Sequence, residues 1–205
     1  LKRIINDNPL VYLDNAATTP VSSEVVSVMQ PYFVEKFGNA SEPHLWGDEA
    51  KRGINQAREQ VASVLGAKPN EIFFTSCATE SINLAHKGLI EAMKQSNNET
   101  IVPHIITTQI EHKAVLETCK HLEKLGLAEV TYLPVDEFGL IKVEDVKNAI
   151  KENTVLVSIM YVNNEIGVIM PIADIGREIL KLRKQKNTAF PLFHSDACQA
   201  GGYLD

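Results

Sequence analysis

The sequence predicts an α/β fold, with a mostly parallel sheet and helices on both faces. Short segments rich in apolar and β-branched residues, such as residues 72–75, 104–108 and 156–162, have the composition of strands buried on both sides. Segments with the period of amphipathic helices lie between them. This alternation indicates parallel strands joined by crossover helices.

Two elements precede the alternating region. Residues 11–13 are apolar and predict a short strand or an extended segment. Residues 22–36 have helical periodicity, with Ser22 or Ser23 as the N-cap and with Pro31 forcing a kink or a break.

The other elements follow in chain order. Gly66 and Gly126 each end a predicted helix, because glycine tolerates the backbone conformation of a helix C-terminus. The predicted helices span residues 48–65, 79–94, 112–125, 143–151 and 172–184, and the predicted strands span residues 71–75, 104–108, 129–134, 154–162 and 190–194.

Composition places the chain among globular proteins. Its 205 residues are 44% hydrophobic and 22% charged, which is enough for a core and argues against extended disorder. The net charge of -6, without a basic stripe, makes nucleic acid a poor partner. No stretch of apolar residues approaches the length of about 20 that spans a bilayer, so we expect no membrane association.

The cysteines predict a reducing compartment. Cys77, Cys119 and Cys198 are widely spaced and form no CxxC pair, which argues against disulfides and against a zinc site. We expect all three to be structural, because free cysteines are usually buried and inert. No secretory signal is visible, so we expect a cytoplasmic protein, or an organellar-matrix protein if a presequence has been removed.

Polar residues follow the predicted strands, where parallel sheets bind ligands. Residues 76–80 open a helix whose N–H groups suit an anion such as phosphate, but this turn taken alone favours an ordinary N-cap with Glu80 near the helix start, because S/T-x-x-E patterns are common. His112 begins the next helix, either as a group that stacks on a flat ligand or moves protons, or as a solvated histidine.

Two further strand ends carry polar groups. Asn163 and Asn164 are either turn formers or hydrogen-bonding groups for a ligand. Asp196 follows an apolar strand and needs a donor, such as a protonated pyridine nitrogen, unless it caps a loop. Together these ends match a phosphorylated, flat, basic heteroaromatic compound.

Other site classes lack their motifs. No G-x-G-x-x-G follows a strand, no Walker A sequence is present, and the six histidines show no H-E-x-x-H spacing. We therefore expect no dinucleotide site and no metal site.

Six segments in register resemble the cysteine desulfurases of the NifS/IscS type, which are class-V aminotransferase-like, fold-type I pyridoxal phosphate (PLP) enzymes. The E-H-K-A-V and V-N-N-E-I-G forms point to the desulfurase branch. The segments are residues 12–20 (YLDNAATTP), 38–39 (GN), 74–83 (FTSCATESIN), 111–115 (EHKAV), 162–167 (VNNEIG) and 196–200 (DACQA).

The resemblance implies roles for individual residues. Ala78 and Thr79 match the phosphate-binding turn, and His112 matches the catalytic imidazole that stacks on the pyridine ring. Asp196 matches the partner of the pyridine nitrogen. Asn164 and Gln199 match groups near the O3′ side of the ring. Asn15 and Ala16 lie in the stretch that resembles the substrate-side N-terminal loop.

The resemblance also implies a division of the chain. Residues 1–20 are expected to form an N-terminal segment at the substrate side, and residues 21–205 part of the PLP-binding large domain. The remainder of that domain, the small domain, the Schiff-base lysine and the nucleophilic cysteine are expected beyond Asp205. On this interpretation the chain is truncated, inactive alone, and exposes apolar surface that favours dimerisation or poor solubility.

Some residues depart from the family pattern. Cys77 stands where the family usually has glycine, and its Cβ is expected to crowd the phosphate turn or to alter its dihedral angles. In residues 38–44 the proline is displaced from its usual position.

The implied activity is removal of sulfur from L-cysteine, which gives L-alanine and an enzyme persulfide for iron–sulfur cluster assembly or other sulfur transfer. The implied partners are a sulfur-acceptor or iron–sulfur scaffold protein and a second copy of the chain. Two alternatives stay open: a selenocysteine lyase or another class-V PLP enzyme, and a non-catalytic half-protein or pseudoenzyme.

Overall fold

The computed structural model describes residues 4–5, 8–96 and 101–204. Its internal contacts divide the chain into two units, Leu1–Phe74 and Thr75–Asp205. The predicted division at residue 20 stays a prediction. No helix among the described residues has the length and hydrophobicity needed to cross a membrane.

The first unit is mostly helical. Its elements are strands β1 (Ile4–Ile5) and β2 (Asn8–Pro9), which pair antiparallel, helices α1 (Ser23–Met29), α2 (Pro31–Val34) and α3 (Leu45–Leu65), and a 3-10 turn at Pro69–Glu71.

The predicted caps and the predicted break of this unit are confirmed. Ser22 caps α1, where its hydroxyl accepts a hydrogen bond from the Val25 N–H. Pro31 begins α2 and separates it from α1. Helix α3 begins before residue 48, because His44 Nδ1 accepts the Gly47 N–H at 3.1 Å. It ends at Gly66, whose φ of 63° is the left-handed conformation expected there.

The strand prediction for residues 71–75 is wrong, and of the two alternatives for residues 11–13, a short strand or an extended segment, the strand is not observed. Residues 71–75 do not form a buried strand: Phe73 is 77% exposed. The backbone at Ile72 is extended, but no described segment supplies the ladder that turns an extended backbone into a strand. Residues 11–13 are likewise exposed and lie outside any strand.

The second unit contains the predicted α/β sheet. Strands β3, β4, β5 and β6 lie in the order β4-β3-β5-β6, and every pairing is parallel. The elements are α4 (Ala78–Ser96), β3 (His104–Thr108), α5 (Lys113–Lys124), β4 (Glu129–Leu133), α6 (Val143–Ala149), β5 (Thr154–Ser158), α7 (Ile172–Lys186) and β6 (Leu192–His194).

Helices cover both faces of this sheet, as predicted. Helices α4 and α5 pack on one face, where Ile82 and Val115 meet Ile105 of β3. Helices α6 and α7 pack on the other, where Val146 and Ile175 share a core with other strand residues. The α/β fold class is therefore confirmed, and His112 and Asp196 follow the carboxyl ends of β3 and β6, whereas residues 76–80 follow no strand.

Strand β5 is shorter than predicted and ends at Ser158 instead of residue 162. Beyond it the chain still bonds to the β6 side, since Ile159 N–H donates to the carbonyl of His194. On the other side β3 has ended at Thr108, and within residues 4–5, 8–96 and 101–204 no main-chain partner continues there. Val162 instead bridges Ile169 in antiparallel fashion.

Candidate active site

The turn that opens α4 combines a cap with a set of helix-start N–H groups. The Glu80 carboxylate accepts both the N–H and the hydroxyl of Ser76, each at 2.6 Å. These hydrogen bonds, the hydroxyl first, lower the pKa of Glu80. Ala78 and Thr79 are exposed at the first turn of α4, where backbone N–H groups lack partners within the helix. The cap reading is confirmed, and an anion can still bind in the first turn.

Cys77 immediately precedes this helix and is exposed. The Glu80 N–H is the main cause of a lowered pKa of its thiol, and the Ser76 hydroxyl is the next. The sulfur therefore lies near N–H groups that would bind a phosphate. The expectation that Cys77 is a buried structural thiol is wrong.

His112 caps α5 at the end of β3. Its Nδ1 accepts the N–H of Ala114 at 3.1 Å, and the imidazole is exposed. Because Nδ1 acts as an acceptor, the proton of the neutral ring lies on Nε2. The cap thus fixes both the orientation and the tautomer of the residue predicted to be catalytic.

Glu111, directly before His112, is a buried carboxylate. It is 5% exposed and accepts the Thr108 hydroxyl at 2.7 Å and the Met160 N–H at 3.0 and 3.1 Å. Burial raises its pKa to about 7, and the charge of Asp196 adds to this rise while the hydrogen bonds oppose it.

The two asparagines after β5 divide the two roles that the sequence left open. Asn163 is the turn former: its buried amide donates to the Ile110 carbonyl at 2.9 Å and its Oδ1 accepts the N–H groups of Glu165 and Ile166. Asn164 is half-buried and remains the amide that can meet a ligand.

Asp196 is fixed at the end of β6. Its Oδ1 accepts the Cys198 N–H at 3.0 Å, and its main-chain carbonyl accepts the Tyr161 N–H at 2.8 Å. The side chain is half-buried, as is that of Gln199. A carboxylate held in this way offers its second oxygen to a cation.

Cys198 and Cys119 complete the set of thiols. Cys198 is exposed, yet partial burial of its sulfur and then the hydrogen bond with Asp196 raise its pKa to about 11. Cys119 is fully buried, which raises its pKa to about 12. The structural interpretation is therefore right for Cys119, but the expected burial is wrong for Cys198.

A histidine pair connects α4 with the end of β6. The rings of His86 and His194 meet edge to face, with centroids 5.0 Å apart, and His194 Nδ1 lies 2.9 Å from the Ser158 hydroxyl. Burial is the main reason that the pKa of His86 falls to about 4. His86 lies two turns into α4 and His194 is the last residue of β6, so this contact joins that helix to the strand that precedes Asp196.

A cavity of about 520 Å³ opens at the ends of β3 and β5. Its lining includes His112 and Asn164, together with Glu111 and Asn163. Ala78, Thr79, Asp196 and Gln199 do not line it. The structure thus brings two of the predicted site residues into one cavity and leaves the others on neighbouring segments of the same unit.

The side chains present fit the predicted cofactor by their chemistry. A helix start can bind its phosphate, an imidazole can stack on its ring, an amide can bond to a ring oxygen, and a carboxylate can pair with a protonated ring nitrogen. In the described part of the chain, no group of three or more histidine, cysteine, aspartate and glutamate side chains could hold a metal ion.

Sequence reasoning missed the supporting residues of this site. Glu111 and Asn163 stand next to His112 and Asn164, but nothing in the sequence distinguishes the buried residue of each pair from its more accessible neighbour. The pairing of His86 with His194 joins residues far apart in the chain, so no local signal could have revealed it.

The chain is similar to known proteins. Residues 11–202 match the model of the family described as aminotransferase class-V. A cysteine desulfurase IscS of Clostridium botulinum is 50% identical over 198 residues, which is 97% of this chain and 47% of that protein.

Solved structures agree with this result. A structure titled NifS-like protein is 47% identical to this chain and has a TM-score of 0.80. The match covers 90% of this chain and 48% of that chain. Another, titled SspA in complex with cysteine, is 43% identical with a TM-score of 0.76, with 88% of this chain and 48% of that chain covered. The chain spans about half the length of the relatives that it matches.

Proposed function

The chain belongs to the class-V aminotransferase family, and we propose that the intact protein of which it forms part is a PLP-dependent cysteine desulfurase. The observation that carries the proposal is the cavity at the ends of β3 and β5, where His112 and Asn164 lie together. Similarity to a protein named cysteine desulfurase, at 50% identity, supports the substrate, L-cysteine.

The proposed reaction transfers the sulfur of L-cysteine to a thiol of the enzyme. The carbon–sulfur bond of the substrate breaks, a sulfur–sulfur bond forms on the acceptor cysteine, and the carbon skeleton leaves as L-alanine. Bound PLP supplies an electron sink for this chemistry. The acceptor cysteine is expected outside residues 1–205, because none of the three cysteines here matches its position.

The chain's own residues would bind and orient the cofactor. N–H groups at Ala78 and Thr79 bind its phosphate, with the dipole of α4 adding to the attraction. The second carboxylate oxygen of Asp196 pairs with the ring nitrogen, while the first stays on the Cys198 N–H. Asn164 and Gln199 bond to the ring's O3′ side. In this proposal residues 21–205 are part of the PLP-binding domain and residues 1–20 a substrate-side segment.

His112 would move protons through Nε2. With Nδ1 occupied by the Ala114 N–H, the neutral imidazole presents a donor at Nε2. To accept a proton there, the ring must first carry one at Nδ1, so the capping hydrogen bond has to open. Proton transfer by His112 is therefore coupled to the start of α5.

The remaining features follow from the same proposal. We expect the persulfide to pass to an acceptor or scaffold protein, as in iron–sulfur cluster assembly, and the intact protein to be a homodimer in the cytoplasm or an organellar matrix. We expect neither a nucleic-acid partner nor association with a membrane.

The test compares His112→Ala with the wild-type intact protein. We expect alanine production from L-cysteine to fall by about 10²- to 10⁴-fold, because a general acid–base is lost, while PLP stays bound. His121→Ala, an exposed histidine in the last turn of the same helix, is the matched control and should retain full turnover.

Unchanged turnover in His112→Ala would contradict the proposed role of His112 in proton transfer. Wild-type protein that binds PLP but releases no alanine would contradict the desulfurase proposal itself. Relative rates on cysteine and selenocysteine would then distinguish a selenocysteine lyase from other class-V reactions.

A further inference from the structure

We propose that Glu111 is a positioning residue of this site: its buried carboxyl group holds the end of β3, and hence His112, in register with the chain that follows β5. The inference rests on the proposed function only for the identity of the ligand. It assigns a role to the carboxyl group itself, which does not need to touch the cofactor.

The first observation is the hydrogen bonding of the carboxylate. It accepts a hydrogen bond of 2.7 Å from the hydroxyl of Thr108, which is the last residue of β3. It also accepts the Met160 N–H, two residues beyond β5, with N···O distances of 3.0 and 3.1 Å. One side chain therefore joins two neighbouring strand ends.

The second observation is the position of this bond in the ladder. In a parallel sheet, alternate N–H groups of a central strand point to alternate neighbours. Ile159 and Tyr161 donate to the carbonyls of His194 and Asp196, on the β6 side. The N–H of Met160 lies between them in sequence and is the one that meets Glu111.

The carboxylate thus replaces a main-chain acceptor that β3 no longer provides. Strand β3 ends at Thr108 and the chain turns toward α5. Without Glu111, the Met160 N–H would be buried and unpaired, which costs free energy. The segment of residues 159–163 could then shift relative to His112.

This ladder connects the predicted catalytic residue with the predicted ring partner. His112 follows Glu111 directly, and Asp196 is bonded to Tyr161, the residue after Met160. A second tie runs parallel, since the Asn163 amide donates to the Ile110 carbonyl at 2.9 Å. Displacement of residues 159–163 would therefore change how His112 and Asp196 face one ligand.

The burial of the carboxyl group agrees with a specific role. Glu111 is 5% exposed, and no salt bridge joins it within the described residues. Burial raises its pKa, to about 7, and Asp196 contributes. A buried carboxyl group without a cation costs free energy that a hydrophobic residue would not.

The experiment measures the apparent Kd for PLP and the visible circular dichroism of bound PLP in variants of the intact protein. Glu111→Ala removes the acceptor, and we expect the Kd to rise roughly tenfold with an altered dichroism band. Glu111→Gln keeps one carbonyl oxygen for Met160 and should restore the Kd to within about threefold of wild type.

The matched control is Glu117→Ala, which removes an exposed glutamate of α5 that pairs with Lys120. It should leave the Kd and the dichroism unchanged. If Glu111→Ala does not fold, Thr108→Val removes one hydrogen bond to the same carboxylate, and we expect a smaller rise in Kd, of about threefold.

Wild-type Kd and dichroism in Glu111→Ala, or in Thr108→Val where the first variant cannot be purified, would overturn the positioning role. So would a Glu111→Gln variant as impaired as Glu111→Ala. Should wild-type protein itself bind no PLP, the proposed function fails instead.

Hydrogen exchange then tests Glu111 without the cofactor. The Met160 amide should exchange roughly tenfold faster in Glu111→Ala than in wild type, and at the wild-type rate in Glu117→Ala. Equal exchange in all three proteins would overturn the inference.

Discussion

At the scale of single residues, the three thiols show how strongly the surroundings decide reactivity. Cys119 lies on the buried face of α5, and burial raises its pKa to about 12. Cys198 is exposed, but partial burial and Asp196 raise its pKa to about 11. At Cys77 the Glu80 N–H and the Ser76 hydroxyl lower the pKa, so this thiol should ionise most readily.

We expect Cys77 to be alkylated first by a limiting amount of iodoacetamide at pH 8. Because the thiolate is the nucleophile, its rate should exceed that of Cys198 by about tenfold or more. Peptide mapping by mass spectrometry measures this order. Faster modification of Cys198 or Cys119 would contradict the assignment, and Cys77→Ser serves as the control.

At the scale of single elements, the loop after β5 shows how one side chain can build a turn. Asn163 bonds to residues 110, 165 and 166 through its amide, and its main chain bonds to Val168 and Gly167. Gly167 has a φ of 71°, a conformation that side chains with a Cβ rarely adopt. The turn thereby presents Asn164 at the cavity.

We expect Asn163→Ala to lower the free energy of unfolding by about 2–3 kcal/mol, because the buried side chain makes three hydrogen bonds, with Ile110, Glu165 and Ile166, that alanine cannot make. Denaturant titration of the intact protein measures the change. Asn163→Asp, which keeps the oxygen acceptor, should cost less. The control Asn148→Ala, at an exposed position of α6, should change stability by less than about 0.5 kcal/mol.

At the scale of the whole molecule, the two units differ in how much apolar surface they bury. Thr75–Asp205 contains both core clusters. In Leu1–Phe74 large hydrophobic side chains are exposed, among them Leu13 at 85% and Val64 at 86%. The expectation of exposed apolar surface is confirmed for the described residues. Such surface drives association.

We therefore expect the 205-residue chain, purified alone, to self-associate. Sedimentation velocity should give a mass that rises above 22.7 kDa with concentration. Val64→Lys should weaken the association, whereas Lys51→Ala, at an exposed position of the same helix, should not. A mass of 22.7 kDa at every concentration would count against this expectation.

The sequence by itself determined the features that depend on local interactions. The helices, the Pro31 break and the Gly66 terminus follow from short-range periodicity and backbone preference, and β3 has the predicted bounds. The positions of His112 and Asp196 after β3 and β6 follow as well, because a parallel sheet places the carboxyl ends of its strands at one edge.

Only the tertiary structure decided which of these residues support the site and which remain available to a ligand. Residues 71–75 looked like a strand, but a strand exists only where another strand supplies hydrogen bonds. The Glu111 carboxylate accepts a hydrogen bond from the N–H of Met160, which lies 49 residues away in the sequence. The ring of His86 packs against that of His194. Such contacts join distant parts of the chain, so their energies cannot be deduced from local sequence. For the same reason the sequence could suggest His112 as the catalytic group but could not reveal the carboxylate that holds it in register.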